Sequence, residues 1–134
     1  MRKLALIAAT AAAAAVVAIP AASGHATKTV VAVKLKEFKV LPSTKSARAG
    51  TVAFAIKNTG KLEHEFVVVK TNLPPGKLPV KNNRVTLKPL RKVGPFNPGK
   101  GGTLTVPLKA GRYVLFCNVT GHYGFGQYVG FVVK

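Results

Sequence analysis

Alternation of apolar and polar side chains is the feature that most limits how this chain can fold. Residues 30–36 read VVAVKLK, with apolar side chains at 31, 33 and 35 and lysines at 34 and 36. A period of two is typical of a half-buried β-strand. Similar segments rich in valine, phenylalanine and tyrosine predict further strands at 51–57, 65–70, 103–108, 112–117 and 128–133. Glycine-containing turns separate several of them, so the sequence predicts an all-β sandwich.

The single cysteine, Cys117, begins a second pattern. His122 and Gln127 follow it in a glycine-rich stretch between two predicted strands, and His64 lies far upstream. A thiolate with two imidazoles suits copper, and a His2Cys set with a weak axial ligand defines blue-copper sites. Because the chain turns within this stretch, its three polar side chains can converge from one loop. The pattern predicts a mononuclear copper site with Gln127 as the axial fourth ligand.

Other interpretations of these residues stay open. A cysteine on a strand is often an inert small hydrophobe, and His64 precedes an apolar run that a core histidine would also fit. Gln127 can leave copper three-coordinate or yield its place to a backbone carbonyl. Zinc accepts the same three protein ligands with an open position. Intrinsic affinity favours copper over zinc, although metal availability can override it.

Two motifs make the chain resemble the cupredoxins, specifically the small secreted bacterial ones. They are NTGKLEHEF at 58–66 and the stretch 113–133, and the resemblance extends over residues 28–134. It implies a Greek-key β-sandwich in which the first motif carries the remote histidine and the second carries the thiolate, the second histidine and the axial residue. Family resemblance also implies that the edge of the second histidine emerges through an apolar patch. Phe96, Tyr123 and Phe125 either line this patch or belong to the core.

The mapped ligands are His64, Cys117, His122 and Gln127. The axial position departs from the usual cupredoxin pattern, which has methionine there, and is similar to the glutamine of plant stellacyanins. A second departure is Glu65, because an asparagine often follows the first histidine in the family.

The amino terminus has the pattern of a secretory signal peptide. Arg2 and Lys3 precede an apolar run at 4–19, which is followed by Pro20 and small residues. The run is short and alanine-rich for a membrane span. We therefore expect a signal peptide at 1–26 and a single cupredoxin domain at 27–134. An unpaired cysteine in an exported chain calls for a reason, which metal ligation supplies.

Charge narrows the function further. The chain has 21 lysines and arginines against three acidic residues, a formal net charge of +18. With three glutamates and no aspartate, paired-carboxylate catalysis is nearly excluded and a Ser-His-Asp triad cannot be built, so we expect no enzyme. The charge favours anionic partners: a redox protein with an acidic surface, or an anionic membrane or cell-wall surface. Scattered lysines and the export signal argue against a specific nucleic acid, and we expect a monomer.

The predicted function is one-electron transfer between extracytoplasmic partners, with one copper ion cycling between Cu(II) and Cu(I). The protein would be secreted into the periplasm or to the outer face of the cell membrane. The alternative is a secreted copper carrier or buffer that delivers the metal, because the same ligands permit it. Residues 71–102 are rich in proline and predict a long, partly ordered connection, which either shapes a partner surface or is a solvated insertion.

Overall fold

The computed structural model describes residues 10–21 and 27–134. Most of the predicted signal peptide, including its cleavage region, falls at residues 1–9 and 22–26 and so lies outside the described residues. Within the described ranges, the chain carries no helix with the length and hydrophobicity needed to cross a membrane. The strands are β1 Thr29–Lys36, β2 Lys39–Pro42, β3 Ser46–Ala47, β4 Gly50–Asn58, β5 His64–Lys70, β6 Val80–Lys81, β7 Arg84–Val85, β8 Arg91–Phe96, β9 Gly101–Leu108, β10 Gly111–Phe116 and β11 Tyr128–Val133.

Two sheets form the sandwich. The first has the strand order β2-β1-β4-β9 and the second has the order β3-β11-β10-β5-β8, while β6 and β7 form a separate hairpin. Strands β1 and β4 run parallel, as do β11 and β3, and the other pairs are antiparallel. The prediction of an all-β Greek-key sandwich is confirmed, and each of the six predicted strands appears within two residues of its expected bounds.

The core lies between the inner faces of the two sheets. Alternate side chains of β1 are fully buried there, as the period of two requires. Three phenylalanines from both sheets meet at its centre, with the ring of Phe54 5.2 Å from that of Phe66 and 5.6 Å from that of Phe131. The second sheet therefore presents one apolar face to the first sheet.

The outer face of the second sheet is also covered. Residues 64–69 of β5 are all buried, without alternation. Val67, Val69 and Phe116 form a second apolar cluster with Leu78 and Val85, which come from the 71–102 segment. This segment packs over the sheet, so β5 is buried on both faces and its sequence is a continuous apolar run.

The 71–102 segment is more ordered than the sequence predicts. It contains one turn of 3-10 helix at Pro75–Lys77, the β6-β7 hairpin and the strand β8. Strand β8 includes Gly94 and Pro95 and lies at the edge of its sheet beside β5. An edge strand tolerates proline, because the missing N–H faces no neighbouring strand. Because glycine and proline have low strand propensity, the sequence did not predict this strand.

Candidate metal centre

Three strand ends bring the predicted site residues together. His64 begins β5, Cys117 follows the last residue of β10, and Gln127 precedes the first residue of β11. Because β10 is antiparallel to both β5 and β11, its end lies beside the beginnings of those strands. His122 lies in the loop that joins β10 to β11. All four side chains meet at one end of the second sheet.

The donor atoms of three of these residues form a compact buried group. The Nδ1 atoms of His64 and His122 are 3.2 Å apart. The Sγ atom of Cys117 lies 3.5 Å from Nδ1 of His122 and 4.0 Å from Nδ1 of His64. Ligand bonds of about 2.0 to 2.3 Å to a single ion place two donor atoms no more than about 4.4 Å apart. The three atoms therefore fit around one ion without rearrangement of the backbone.

Gln127 completes the group from the side. Its Nε2 atom lies 3.1 Å from the carbonyl oxygen of Lys36, 3.4 Å from that of Lys39 and 3.0 Å from Nδ1 of His64, and its two N–H groups are shared among these three acceptors. Its Oε1 atom is buried and has no hydrogen-bond partner within the described part of the protein. A buried acceptor without a partner is costly, and a cation is a group that satisfies it. The donor set therefore fits a metal ion, with the amide oxygen as the atom available for it.

Backbone geometry shapes the loop between Cys117 and Gln127. The N–H of Cys117 donates to the carbonyl of Gln127 at 3.1 Å, which closes the loop. Gly121 and Gly126 have φ values of +84° and +103°, a region in which a side chain is strained. Asn118 fixes the loop from outside, since its side chain accepts from the N–H of Val85 at 2.8 Å and donates to the Val85 carbonyl at 3.1 Å. The β6-β7 hairpin is thus a support for the loop.

The surroundings set the protonation of the cysteine and histidine groups. Burial raises the pKa of the Cys117 thiol, and the N–H of Glu65, 3.2 Å from Sγ, opposes part of that effect. Burial, and secondarily the proximity of His64, lower the pKa of His122. His122 is therefore neutral near pH 7, the form that binds metals, whereas the thiol must release a proton when a metal binds.

His64 directly follows the turn that connects β4 to β5, and Asn58 holds this turn in place. Asn58 is fully buried, and its Nδ2 atom donates to the carbonyls of Leu62 at 2.8 Å and Phe96 at 2.7 Å. Its Oδ1 atom accepts from the N–H of Gly60 at 2.9 Å. The Asn58 side chain therefore stabilises the turn that precedes His64 and connects this turn to strand β8.

The aromatic residues near the site differ in exposure. Phe125 is 72% exposed, whereas Tyr123 is buried and Phe96 packs against the core. Phe38, which the sequence did not single out, contacts the ring of His122 edge-on at 5.1 Å between centroids and the ring of Phe125 at 4.9 Å. Of the three aromatic residues considered in the sequence, Phe125 is the one on the surface beside His122.

Comparison with known proteins identifies the family. The sequence matches the model of a cupredoxin-like domain over residues 5–129, so the chain belongs to the cupredoxin-like family. The fold is similar to that of dithionite-reduced auracyanin from Roseiflexus castenholzii, with 21% identity, a TM-score of 0.56, and coverage of 83% of this chain and 99% of that chain. No curated protein sequence matches this chain.

Rusticyanin has a similar structure. The protein from Thiobacillus ferrooxidans is 21% identical, with a TM-score of 0.58, over 80% of this chain and 77% of that chain. A rusticyanin variant with glutamine in place of a methionine is 26% identical, with a TM-score of 0.57, over 80% of this chain and 78% of that chain. The predicted cupredoxin resemblance is confirmed.

The family and the buried His-Cys-His group together indicate a single copper ion as the cofactor. That His64, Cys117, His122 and Gln127 are its ligands stays a prediction, although the structure brings all four together. Sequence reasoning missed Glu37 and Phe38, which contact His64 and His122 from a distant part of the chain. It also assigned no role to Asn58, although the asparagine at the start of the NTG turn was a signal, because asparagine favours such turns.

We expect Asn58→Ala to destabilise the protein through the turn that carries His64. The substitution removes three hydrogen bonds of a fully buried side chain to the backbone of Gly60, Leu62 and Phe96, so the free energy of unfolding should fall by about 2 to 4 kcal/mol. Urea denaturation of the metal-free protein measures this change. Asn72→Ala at an exposed position is the matched control and should change stability by less than about 0.5 kcal/mol. Equal effects of the two substitutions would contradict the assigned role of Asn58.

Proposed function

We propose that this protein is a mononuclear type 1 copper protein that carries single electrons between extracytoplasmic partners. In this proposal His64, Cys117 and His122 are the strong ligands and Gln127 is the axial ligand. The observation that carries the proposal is the group of two imidazole nitrogens and one thiol sulfur, buried together and separated by 3.2 to 4.0 Å. When bound, copper there supplies a centre that accepts and releases one electron.

The protein's own contribution is to hold the donor atoms in place. His64, Cys117 and Gln127 are fully buried, and His122 is 8% exposed. Backbone hydrogen bonds close the loop at Cys117 and Gln127, while the carbonyls of Lys36 and Lys39 hold the glutamine amide. A donor set fixed in this way offers nearly the same geometry to both oxidation states. Little reorganisation then accompanies electron transfer.

In this proposal the electron enters and leaves the site through the imidazole of His122. It is the one proposed ligand with any exposure, and Phe38 and the exposed Phe125 lie beside it. A partner that docks over this end of the sandwich would approach the site through the edge of the imidazole. The distance between the redox centres would then be shortest on this face.

The sequence supports the proposed location and partners. The segment 1–26 has the pattern of a secretory signal peptide, and the lone cysteine is protected when a metal binds it. A formal net charge of +18 favours a redox partner with an acidic surface, or attachment to an anionic membrane or wall. Mass spectrometry of the exported protein tests the location, and an intact segment 1–26 in cytoplasmic protein would contradict it.

Titration of the purified protein with Cu(II) tests the site. We expect an intense visible thiolate-to-copper band that saturates at one equivalent, because Cys117 is the only thiol in the chain. The band should be absent in Cys117→Ser, and electron paramagnetic resonance should show one type of copper. Weak binding without such a band would reject the site. Reversible one-electron reduction with the metal retained distinguishes the electron carrier from a copper carrier, which would lose its metal.

We expect Gln127→Met to raise the reduction potential. An amide oxygen is a harder ligand than a thioether and favours Cu(II), so the natural glutamine should keep the potential low. Voltammetry of the two proteins measures the difference. Gln127→Leu, which removes the amide oxygen and nitrogen, is the control and should also raise the potential. An unchanged or lower value in Gln127→Met would show that Gln127 is not the axial ligand.

A further inference from the structure

Glu37 touches the site from a turn that contains none of the four proposed ligands. It lies between β1 and β2, and its Oε1 atom accepts three hydrogen bonds. The donors are the backbone N–H groups of Lys61 at 2.9 Å and Leu62 at 2.7 Å and the Nε2 atom of His64 at 2.9 Å. The carboxylate thus joins the outer nitrogen of a buried imidazole to the turn that precedes it.

We propose that Glu37 is a positioning residue for the copper site: it selects the tautomer of His64 and places a negative charge one imidazole ring away from the metal. This inference rests on the proposed copper ligation by His64. A carboxylate on the second nitrogen orients a ligating histidine and makes it a stronger donor. Its charge also favours the more positive oxidation state. Glu37 should therefore stabilise Cu(II) over Cu(I) and lower the reduction potential.

The contacts at both nitrogens of His64 support one tautomer. An ionised carboxylate can only accept hydrogen bonds, so Nε2 of His64 carries the proton that it donates to Glu37. At the other nitrogen, the amide group of Gln127 is a donor 3.0 Å from Nδ1. A neutral imidazole with its proton on Nε2 has a bare Nδ1 that accepts this bond. Nδ1 is also the atom that faces Cys117 and His122, so the tautomer is the one required for metal binding.

The carboxylate is held in its charged form. Three N–H donors, from Lys61, Leu62 and His64, converge on its Oε1 atom, and hydrogen bonds of this kind favour the ionised form of a carboxyl group. Among the described residues Glu37 makes no ion pair with a lysine or arginine, whereas Glu65 has Lys92 at 3.5 Å. In the part of the chain that the structure describes, no lysine or arginine therefore competes with His64 for the Glu37 carboxylate at ion-pair distance.

The turn is shaped around this carboxylate. A Cβ atom on Gly60 would lie 2.5 Å from Oε1 and 2.8 Å from Oε2 of Glu37, which is closer than such atoms can approach. A methyl group at this position would therefore require the carboxylate to shift from its present contact with Nε2 of His64. Gly60 belongs to the turn held by Asn58. The turn that contains Glu37 and the turn that contains Gly60 therefore both shape the contact between the Glu37 carboxylate and the His64 imidazole.

The test is Glu37→Gln, compared with Glu63→Gln. Glutamine at 37 retains an oxygen that accepts from Lys61 and Leu62, so the turn keeps its anchor while the charge disappears. Glu63 is an exposed neighbour of His64 in the sequence, so its replacement removes one nearby charge. We expect Glu37→Gln to raise the potential clearly more than Glu63→Gln does. We also expect it to weaken Cu(II) binding by about tenfold or more, the usual effect of losing such a partner.

A second variant tests the inference in case Glu37→Gln folds poorly. Gly60→Ala keeps the charge of Glu37 but displaces the carboxylate from His64, and it should raise the potential in the same direction. In metal-free protein, 15N NMR should show His64 protonated at Nε2, with this preference weakened in either variant.

The outcomes separate the inference from the proposed function. If the natural protein shows the thiolate band but Glu37→Gln and Gly60→Ala shift the potential no more than Glu63→Gln, the role of Glu37 is overturned while the copper site stands. If the natural protein shows no such band, the copper site and the inference fall together.

Discussion

The burial of His64 is the constraint on which the site depends. The imidazole has no exposed surface, so both of its nitrogens need partners inside the protein. Glu37 takes one nitrogen and the cluster of donor atoms takes the other. The carboxylate comes from the turn after β1, whereas the cluster comes from the ends of β10 and β11. The histidine therefore links the first sheet's turn to the second sheet, and its orientation is fixed before any metal arrives.

Coverage of the second sheet on both faces gives this arrangement its rigidity. The inner face packs on the first sheet, and the outer face packs on the 71–102 segment through Leu78 and Val85. The same segment reaches the loop of the site through the hydrogen bonds between Val85 and Asn118 and through the carbonyl of Asn83, which accepts from the N–H of Gly121. The 71–102 segment, which the sequence allowed to be a solvated insertion, is thus part of the support for the loop between Cys117 and Gln127.

Sequence reasoning succeeded where the signal is local. Six strands follow from alternation, and Cys117, His122 and Gln127 lie within eleven consecutive residues that one turn can bring together. It failed where the contact depends on how distant strands are registered. Glu37 is 27 positions from His64, and nothing in its own neighbourhood distinguishes it from a solvated turn residue. Strand β8 was missed for another reason, because its glycine and proline lower strand propensity while its edge position tolerates them.

The proposed function places the tuning of the copper site and the docking of partners on different charged residues. All the acidic residues of the chain, Glu37, Glu63 and Glu65, either touch His64 or flank it in sequence, whereas the 21 lysines and arginines are spread along the chain. Coulomb energy falls with distance, and salt screens exposed charges beyond about 10 Å. Of the three carboxylates, Glu37 is the one in contact with His64, whereas Glu63 is exposed and Glu65 is paired with Lys92. In the proposed function, the scattered cations would act mainly on the approach of anionic partners.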